Sequence, residues 1–196
     1  MHIYLVRHAA TAWSEAARLT SQTDPPLSTL GRQQAKALAQ HLKPAFASAP
    51  FTMCSPSRRA TETMSLAYRP PATHELSDLV REMNFGECEG ATLNGFAKTQ
   101  QPGWSFWLQG CPGGETFGQL EERIRATIDQ CVRSQADLCV IFGHGVFFRA
   151  MIALLQTLPL HLAQYIVLDS ASTSVVEYSP TERQFSVKTI NRPSAA

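Results

Sequence analysis

The feature that most constrains the fold is an uninterrupted apolar run, LCVIF at residues 138–142, that ends abruptly in Gly-His-Gly. The run has the length of a buried strand, and the apolar segment VFFRAMIALLQ after it has the length of a helix. The two glycines around His144 permit a tight turn and a close approach of the backbone to a ligand. A strand that leads through a tight turn into a helix is one unit of an α/β fold.

The rest of the chain alternates between strand and helix patterns. The β-branched and aromatic residues of HIYLV (2–6) and FTMC (51–54) predict two more strands. Helices are predicted after the Pro-Pro turn of TDPPLSTLGRQQAKALAQHLK, in SPSRRATETMSLAY and in ETFGQLEERIRATIDQCV, and a hairpin is predicted around PTER. This order predicts an α/β fold with a mostly parallel sheet that is covered on both faces.

Two helix boundaries are predicted from single residues. Pro44 should limit the helix that follows the Pro-Pro turn, because proline cannot continue the backbone hydrogen bonds of a helix. Ser55 and Pro56, directly after the strand at 51–54, are typical of the start of the next helix. That start would place free backbone N–H groups at the edge of the sheet.

Two of the predicted strands lead directly to histidines. Strand 2–6 runs into Arg7 and His8, and strand 138–142 runs into His144. Ligands of such sheets bind at the carboxyl ends of the strands, so these residues lie where the fold places its chemistry. Arginine beside histidine could bind phosphate and supply a nucleophile at phosphorus, although a polar pair can also simply mark a strand that reaches the surface.

Three further segments carry candidate groups, each with a structural alternative. Arg58 and Arg59 lie in the first turns of a predicted helix, where cations oppose the helix dipole, so either an anionic partner or a solvated basic turn explains them. Glu82 in VREMNFGECEG could protonate a leaving-group oxygen or pair with an arginine. His144 is poorly explained by packing, and metal ligation lacks support because the six histidines are dispersed.

Composition limits the classes of protein. The chain has 196 residues, 44% hydrophobic and 17% charged, so we expect one globular domain over residues 1–196. The net charge of +1 gives no reason to expect nucleic acid or an anionic membrane as partner, and no segment approaches the ~20 apolar residues of a membrane span. The five cysteines are odd in number and form no CxxC pair, which favours reduced thiols in the cytoplasm over a disulfide framework or a zinc site.

Six segments, taken together, resemble one known family. In chain order they are LVRHAAT, DPPLSTLGRQQA, CSPSRRATET, REMNFGECEG, GGETF and FGHGVFFR. They are similar to the motifs of the histidine phosphatase superfamily, also called the phosphoglycerate mutase-like family, over about residues 3 to 155. The resemblance implies a three-layer αβα sandwich.

The resemblance also implies roles for single residues. His8 would accept the phosphoryl group, and Glu82 would donate a proton. Arg7 and Arg59 would bind phosphate oxygens and His144 would complete that pocket, with Arg59 chosen because it precedes an alanine. Preorganised cations suit a transition state that spreads charge over three oxygens, so no metal or other cofactor is expected. Because His8 must be neutral and Glu82 protonated, we expect a bell-shaped pH profile that peaks on the acid side of neutrality.

The sequence departs from the family pattern close to His8. Ala9 and Ala10 stand where the family usually has glycine and then an acidic or amide residue. Ser14 stands where many relatives have an asparagine that contacts phosphate, and its hydroxyl can still donate one hydrogen bond. We therefore expect lower affinity for the transferred phosphate, with the main groups retained.

Three functions fit these motifs: a metal-independent phosphatase for a small-molecule phosphate monoester, a phosphoglycerate mutase, and a non-catalytic phosphate- or phosphoprotein-binding module. The mutases of this family carry a longer insertion between the segments equivalent to GECEG and GGETF, where it excludes water, so the short segment here favours hydrolysis. The presence of His8 and Glu82 argues against the binding module.

The substrate stays open. Trp104, Phe106 and Trp107 could contact a ring-bearing leaving group, but we favour a small satellite core. The chain length and the GGE segment are similar to those of α-ribazole phosphatases, and also to those of broad-specificity sugar and nucleotide phosphatases. Specificity depends on loops whose geometry the sequence does not give.

Overall fold

A six-stranded sheet organises the protein. The computed structural model describes residues 1–42, 50–68 and 74–194, so Pro44 lies outside the described residues. The strands are β1 (His2–Arg7), β2 (Phe51–Cys54), β3 (His74–Leu76), β4 (Leu138–Gly143), β5 (Thr173–Ser179) and β6 (Gln184–Arg192). Their order across the sheet is β3-β2-β4-β1-β5-β6.

The sheet is mostly parallel, as predicted. Strands β3, β2, β4 and β1 run parallel to one another, whereas β5 is antiparallel to β1. The last two strands form the predicted hairpin around PTER, with Ser179 opposite Gln184. Every residue of the central strand β4 is buried, which explains why its sequence is an unbroken apolar run.

Helices cover both faces of this sheet. They are α1 (Ala12–Glu15), α2 (Thr29–Leu42), α3 (Arg58–Ala67), α4 (Leu93–Ala97), α5 (Phe106–Gln109), α6 (Phe117–Arg133) and α7 (Gly145–Leu155). None of the helices in the described part of the chain is long and apolar enough to cross a membrane.

Alternate residues of the strands serve two separate cores. In β4, Val140 and Phe142 pack with the buried side chains of α2 and α3, including Leu38. Cys139 and Ile141, on the other face of the same strand, pack with α6 and α7. Because successive strand residues point to opposite faces, this division produces the predicted three-layer sandwich.

The prediction that α3 begins at Ser55 and Pro56 is wrong. The helix begins at Arg58, with Ser57 in the capping position. The Ser55 hydroxyl instead lies 2.8 Å from Nε2 of His144 and donates to the Ser57 hydroxyl. A serine after a strand gives the same sequence signal whether it caps a helix or binds a buried side chain.

The prediction of reduced cysteines is also wrong in part. Cys88 and Cys111 form a disulfide with a Cα–Cα separation of 5.8 Å. The fold brings their segments together, and Glu87 N–H donates to the Pro112 carbonyl beside the disulfide. An odd cysteine count excludes only complete pairing, and Cys54, Cys131 and Cys139 remain free and buried.

Candidate active site

The paired ends of β1 and β4 bring two histidines together. Arg7 lies opposite Gly143 in the register, and the backbone N–H of His8 donates to the Gly143 carbonyl at 2.9 Å. Both following side chains are buried, with 5% of His8 and none of His144 exposed. Their ring centroids are 5.2 Å apart, so the two motifs form one site at the carboxyl edge of the sheet.

A local hydrogen bond of His8 sets the tautomer of its ring. Nδ1 lies 2.8 Å from the carbonyl oxygen of Ala9. Because a carbonyl only accepts, Nδ1 carries the ring proton and Nε2 keeps its lone pair. Burial, and then the charges of Arg59 and Arg7, hold the pKa of His8 well below its ordinary value. The ring is therefore a neutral imidazole near neutral pH.

His144 lies between two serines and the first histidine. Its Nε2 is 2.8 Å from Ser55 Oγ and 3.3 Å from Ser57 Oγ. Its Nδ1 is buried and has no hydrogen-bond partner in the described part of the chain. Burial, followed by the charge of Arg59, holds the pKa of His144 well below its ordinary value. The serines therefore orient a neutral ring whose Nδ1 has no hydrogen-bond partner among the described residues.

Arg59 is fully buried, whereas its neighbour Arg58 is exposed. The guanidinium of Arg59 donates to the carbonyl oxygens of Thr20 (3.2 Å) and Thr23 (3.3 Å) and to Asp24 Oδ1 (3.2 Å). Arg58 instead pairs with a glutamate one turn along the helix. The charge of Arg59, after burial, lowers the pKa of both histidines, whereas Arg58 is not among the groups that lower it.

Arg7 supplies a second guanidinium from the end of β1. One of its Nη atoms donates to the carbonyl of Leu168, and its Nε is buried without a partner among the described residues. A Cβ atom on Gly145 would lie 3.2 Å from this Nε, tighter than most such contacts. The glycine after His144 therefore leaves room for the Arg7 side chain, which gives a packing reason for one glycine of the Gly-His-Gly motif.

Glu82 is held at the start of α7. Its Oε2 accepts the N–H of Val146 at 3.0 Å, and its Oε1 accepts the N–H groups of Phe147 and Met83 at 2.9 Å. These donors include N–H groups that a helix start leaves free. They also fix the carboxyl group beside the turn that carries His144.

A small cavity of about 170 Å³ brings several of these groups together, although Arg59 and His144 are not among the residues that line it. Residues that line it include Arg7, His8, Ser14, Glu82, Gly145 and Arg149. Ser14 faces the cavity, but its hydroxyl donates to the Thr11 carbonyl at 3.0 Å and accepts the Thr11 N–H at 2.9 Å. Its capping role in α1 therefore competes with the predicted phosphate contact. A larger groove of about 700 Å³ between α6 and β6 contains none of these six residues.

Arg149 is a cavity residue that the sequence reasoning missed. Its Nε donates to the Ala163 carbonyl at 3.0 Å, and its guanidinium lies 4.9 Å from the ring centroid of Trp107. Burial, and then the charge of Arg7, lower the pKa of Arg149. The available signal was its spacing, because four residues from Gly145 on a helix place it on the same face.

The alanines after His8 keep the backbone in place. The N–H of Ala9 donates to Thr63 Oγ1 at 2.9 Å, and that of Ala10 donates to Gln34 Oε1 at 3.0 Å. A Cβ atom on Gly31 would lie 2.0 Å from the Ala10 carbonyl oxygen, so the helix α2 approaches this turn as closely as glycine allows. The departures from the family pattern thus leave both backbone N–H groups paired.

The aromatic segment before α6 belongs to the core. Phe106 and Trp107 are buried, and Trp107 stacks on Phe117 with centroids 5.6 Å apart. Trp104 packs against Phe96 at 5.4 Å. None of the three predicted contact residues lines the 170 Å³ cavity. Packing, the favoured interpretation, therefore accounts for this segment.

Known proteins with similar sequences include a phosphatase and a probable mutase, and a solved structure has a similar fold. The chain is 32% identical over 186 residues to an acid phosphatase of Mycobacterium tuberculosis, covering 94% of this chain and 90% of that one. It is 26% identical over 185 residues to a probable phosphoglycerate mutase, GpmB, of Yersinia pestis, covering 91% and 85%. The solved structure of the Mycobacterium tuberculosis open reading frame Rv3214 superposes with a TM-score of 0.89 at 28% identity, covering 99% of this chain and 98% of that one.

The match to a whole family covers nearly the full chain. The profile of the histidine phosphatase superfamily (branch 1) matches residues 3–192, which include both histidine motifs, Arg59 and Glu82. The chain therefore belongs to the histidine phosphatase superfamily.

Proposed function

We propose that the protein hydrolyses a small-molecule phosphate monoester through a phosphohistidine formed on Nε2 of His8. The observation that carries this proposal is the 2.8 Å contact between His8 Nδ1 and the Ala9 carbonyl. It supports a neutral ring whose Nε2 lone pair is free to attack phosphorus. In the first step an Nε2–P bond forms and the P–O ester bond breaks, with its electron pair leaving on the ester oxygen.

Arg7 and Arg59 stabilise the negative charge of the transferred phosphoryl group. Both guanidinium groups carry a buried Nε with no partner among the described residues, which supports a role as donors to phosphate oxygens. His144 adds a third donor when a serine hydroxyl donates to its Nε2 and the ring proton sits on Nδ1. Such fixed donors stabilise the transition state more than water does, because they need no reorganisation.

Glu82 is the proton donor in this scheme. Its carboxyl lines the cavity with His8, and three backbone N–H groups fix its position. It protonates the departing ester oxygen in the first step. In the second step it takes a proton from the water that attacks the phosphohistidine, so that inorganic phosphate leaves and His8 is restored.

Hydrolysis is favoured over transfer to a second hydroxyl. The segment between Cys88 and Cys111 contains only the short helices α4 and α5, and the disulfide closes it into a compact loop. The acid phosphatase relative is also more similar to this chain than the probable mutase is, at 32% against 26% identity. Release of inorganic phosphate, rather than a phosphorylated product, is the expected result.

The test is hydrolysis of an aryl phosphate in excess chelator by the native protein and by His8→Ala. We expect chelator-resistant release of phosphate that the variant loses. We also expect a phosphoenzyme in the native protein only, trapped by alkaline denaturation because the P–N bond of phosphohistidine is labile to acid. Turnover that survives in His8→Ala would overturn the assignment of the nucleophile. Phosphate binding without turnover of any ester in a broad panel would favour the binding module.

A further inference from the structure

Both carboxylate oxygens of Glu89 accept hydrogen bonds from a surface loop, residues 20–24. Oε1 accepts the N–H groups of Ser21 and Thr23, each at 3.0 Å. Oε2 accepts the Ser21 hydroxyl at 2.6 Å. Partial burial raises the pKa of Glu89, but the hydrogen bonds from Ser21 and Thr23 outweigh it and leave the pKa below its ordinary value. Glu89 is therefore a charged anchor for this loop.

The same loop holds the guanidinium of Arg59. The carbonyl oxygens of Thr20 and Thr23 and the carboxylate of Asp24 accept its Nη donors, and the Ser21 carbonyl lies 3.5 Å away. The loop thus turns N–H groups toward Glu89 and oxygen atoms toward Arg59. Fixing one set of peptide groups fixes the other, because each peptide unit is planar.

We propose that Glu89 is a positioning residue of the phosphate site, which orients Arg59 through loop 20–24 without touching the substrate. This inference rests on the proposed function. Both carboxylate oxygens of Glu89 accept hydrogen bonds from Ser21 and Thr23, so the proposal needs no direct contact of Glu89 with the ester. Loss of the anchor lets the acceptor groups of the loop move, and the Arg59 donors then miss the geometry of the transferred phosphoryl group.

The test compares Glu89→Gln with Glu87→Gln, a control two residues away. The amide in Glu89→Gln keeps the shape of the side chain but loses its charge and one acceptor oxygen. We expect kcat/KM for an aryl phosphate to fall on the order of 10- to 100-fold, with weaker binding of inorganic phosphate. The Glu87 side chain is exposed, and the backbone N–H of Glu87 donates to Pro112 rather than to loop 20–24, so its variant should stay within about twofold of the native protein.

A double-variant cycle separates positioning from general destabilisation. In an Arg59→Ala background, Glu89→Gln should cost little further activity, because the group that it orients is already gone. Losses that multiply would overturn the proposal, as would a Glu89→Gln protein with native phosphate affinity. If Glu89→Gln fails to fold, Ser21→Ala takes its place in the test. This variant removes the 2.6 Å hydrogen bond to Glu89 and should weaken phosphate binding by a smaller factor.

Binding of inorganic phosphate, measured by calorimetry, keeps this test independent of turnover. A native protein that binds phosphate but hydrolyses nothing would overturn the proposed function, and the Glu89 comparison would still decide the positioning role. Native affinity retained in the Glu89→Gln protein would overturn the positioning role even if the native enzyme is active.

Discussion

The Nδ1 nitrogen of His8 lies 2.8 Å from the carbonyl oxygen of Ala9, the next residue in the chain. This contact between neighbouring residues fixes the tautomer of the imidazole, with the proton on Nδ1. Burial of the ring, and then the charges of Arg59 and Arg7, lower the pKa of His8 and so disfavour a second proton. Burial, one local hydrogen bond and two arginines together favour a neutral imidazole with a free Nε2, the form that the proposed nucleophile requires.

The first prediction concerns the pH dependence of activity. Because the pKa of His8 is held well below about 6.5, its neutral form persists at pH values where a free imidazole is protonated. We expect the acid limb of the kcat/KM profile to lie below that value, with a maximum on the acid side of neutrality. Steady-state rates with an alkyl phosphate, whose leaving group needs a proton, from about pH 4 to about pH 10 test this, and activity that rises beyond about pH 9 would contradict it.

Stability should follow the same titration. The unfolded chain binds a proton at His8 near about pH 6.5, whereas the folded chain does so only at lower pH. The free energy of unfolding therefore falls as the pH falls through about 6.5 toward the folded pKa. Denaturant unfolding at a series of pH values should show a shallower dependence for His8→Gln, which lacks this group. Equal slopes would mean that His8 titrates alike in both states.

The second prediction separates two neighbouring arginines. Arg59→Ala removes the buried group that we propose as a phosphate donor, and should lower kcat on the order of 10²- to 10³-fold, as the loss of one fixed donor does elsewhere. Arg58→Ala removes an exposed ion pair and should change activity little. Arg59→Lys, which keeps a charge but not the planar fork, serves as the folding control. A larger loss for Arg58→Ala than for Arg59→Ala would contradict the assignment.

Much of the fold could be predicted because its signals are local. Strand β4 is buried on both faces, so an apolar run marks it, and α6 repeats Leu120, Ile124 and Cys131 along one buried side. Strand β3 (His74–Leu76) has three exposed residues and no such pattern. Strand β3 forms because its backbone pairs with strand β2, and this pairing cannot be seen in the sequence of β3 itself.

The candidate site also has a part that the sequence predicts and a part that it does not. The histidines could be predicted because each follows a strand that ends at one edge of the sheet. The anchoring of Arg59 by loop 20–24 could not, since loop hydrogen bonds to distant residues leave no periodicity. The disulfide between Cys88 and Cys111 also depends on tertiary contacts. It removes the cysteine argument on which the expected cytoplasmic location partly rested.

The third prediction tests Glu82 as a proton donor by changing the leaving group. Glu82→Gln should lower turnover of an alkyl phosphate on the order of 10²- to 10⁴-fold, because the alkoxide needs a proton as it departs. A nitrophenyl phosphate should suffer much less, since nitrophenolate leaves unprotonated. The variant keeps a carbonyl oxygen for the N–H groups of α7, and thermal unfolding checks that the helix start survives. Equal losses for both esters would contradict the role.

The last prediction concerns the disulfide. Cys88 and Cys111 enclose the segment that carries α4 and α5, and their sequence separation is 23. Their cross-link restricts the unfolded chain, so replacing both with serine should lower the free energy of unfolding by about 2–4 kcal/mol.

For a domain of this size, that loss corresponds to a Tm about 5–15 °C lower. Reduction of the native protein with excess dithiothreitol should give a similar shift. The same treatment should leave the double-serine variant unchanged, because Cys54, Cys131 and Cys139 are free thiols. A native protein whose Tm does not respond to reductant would show that this cross-link does not stabilise the fold.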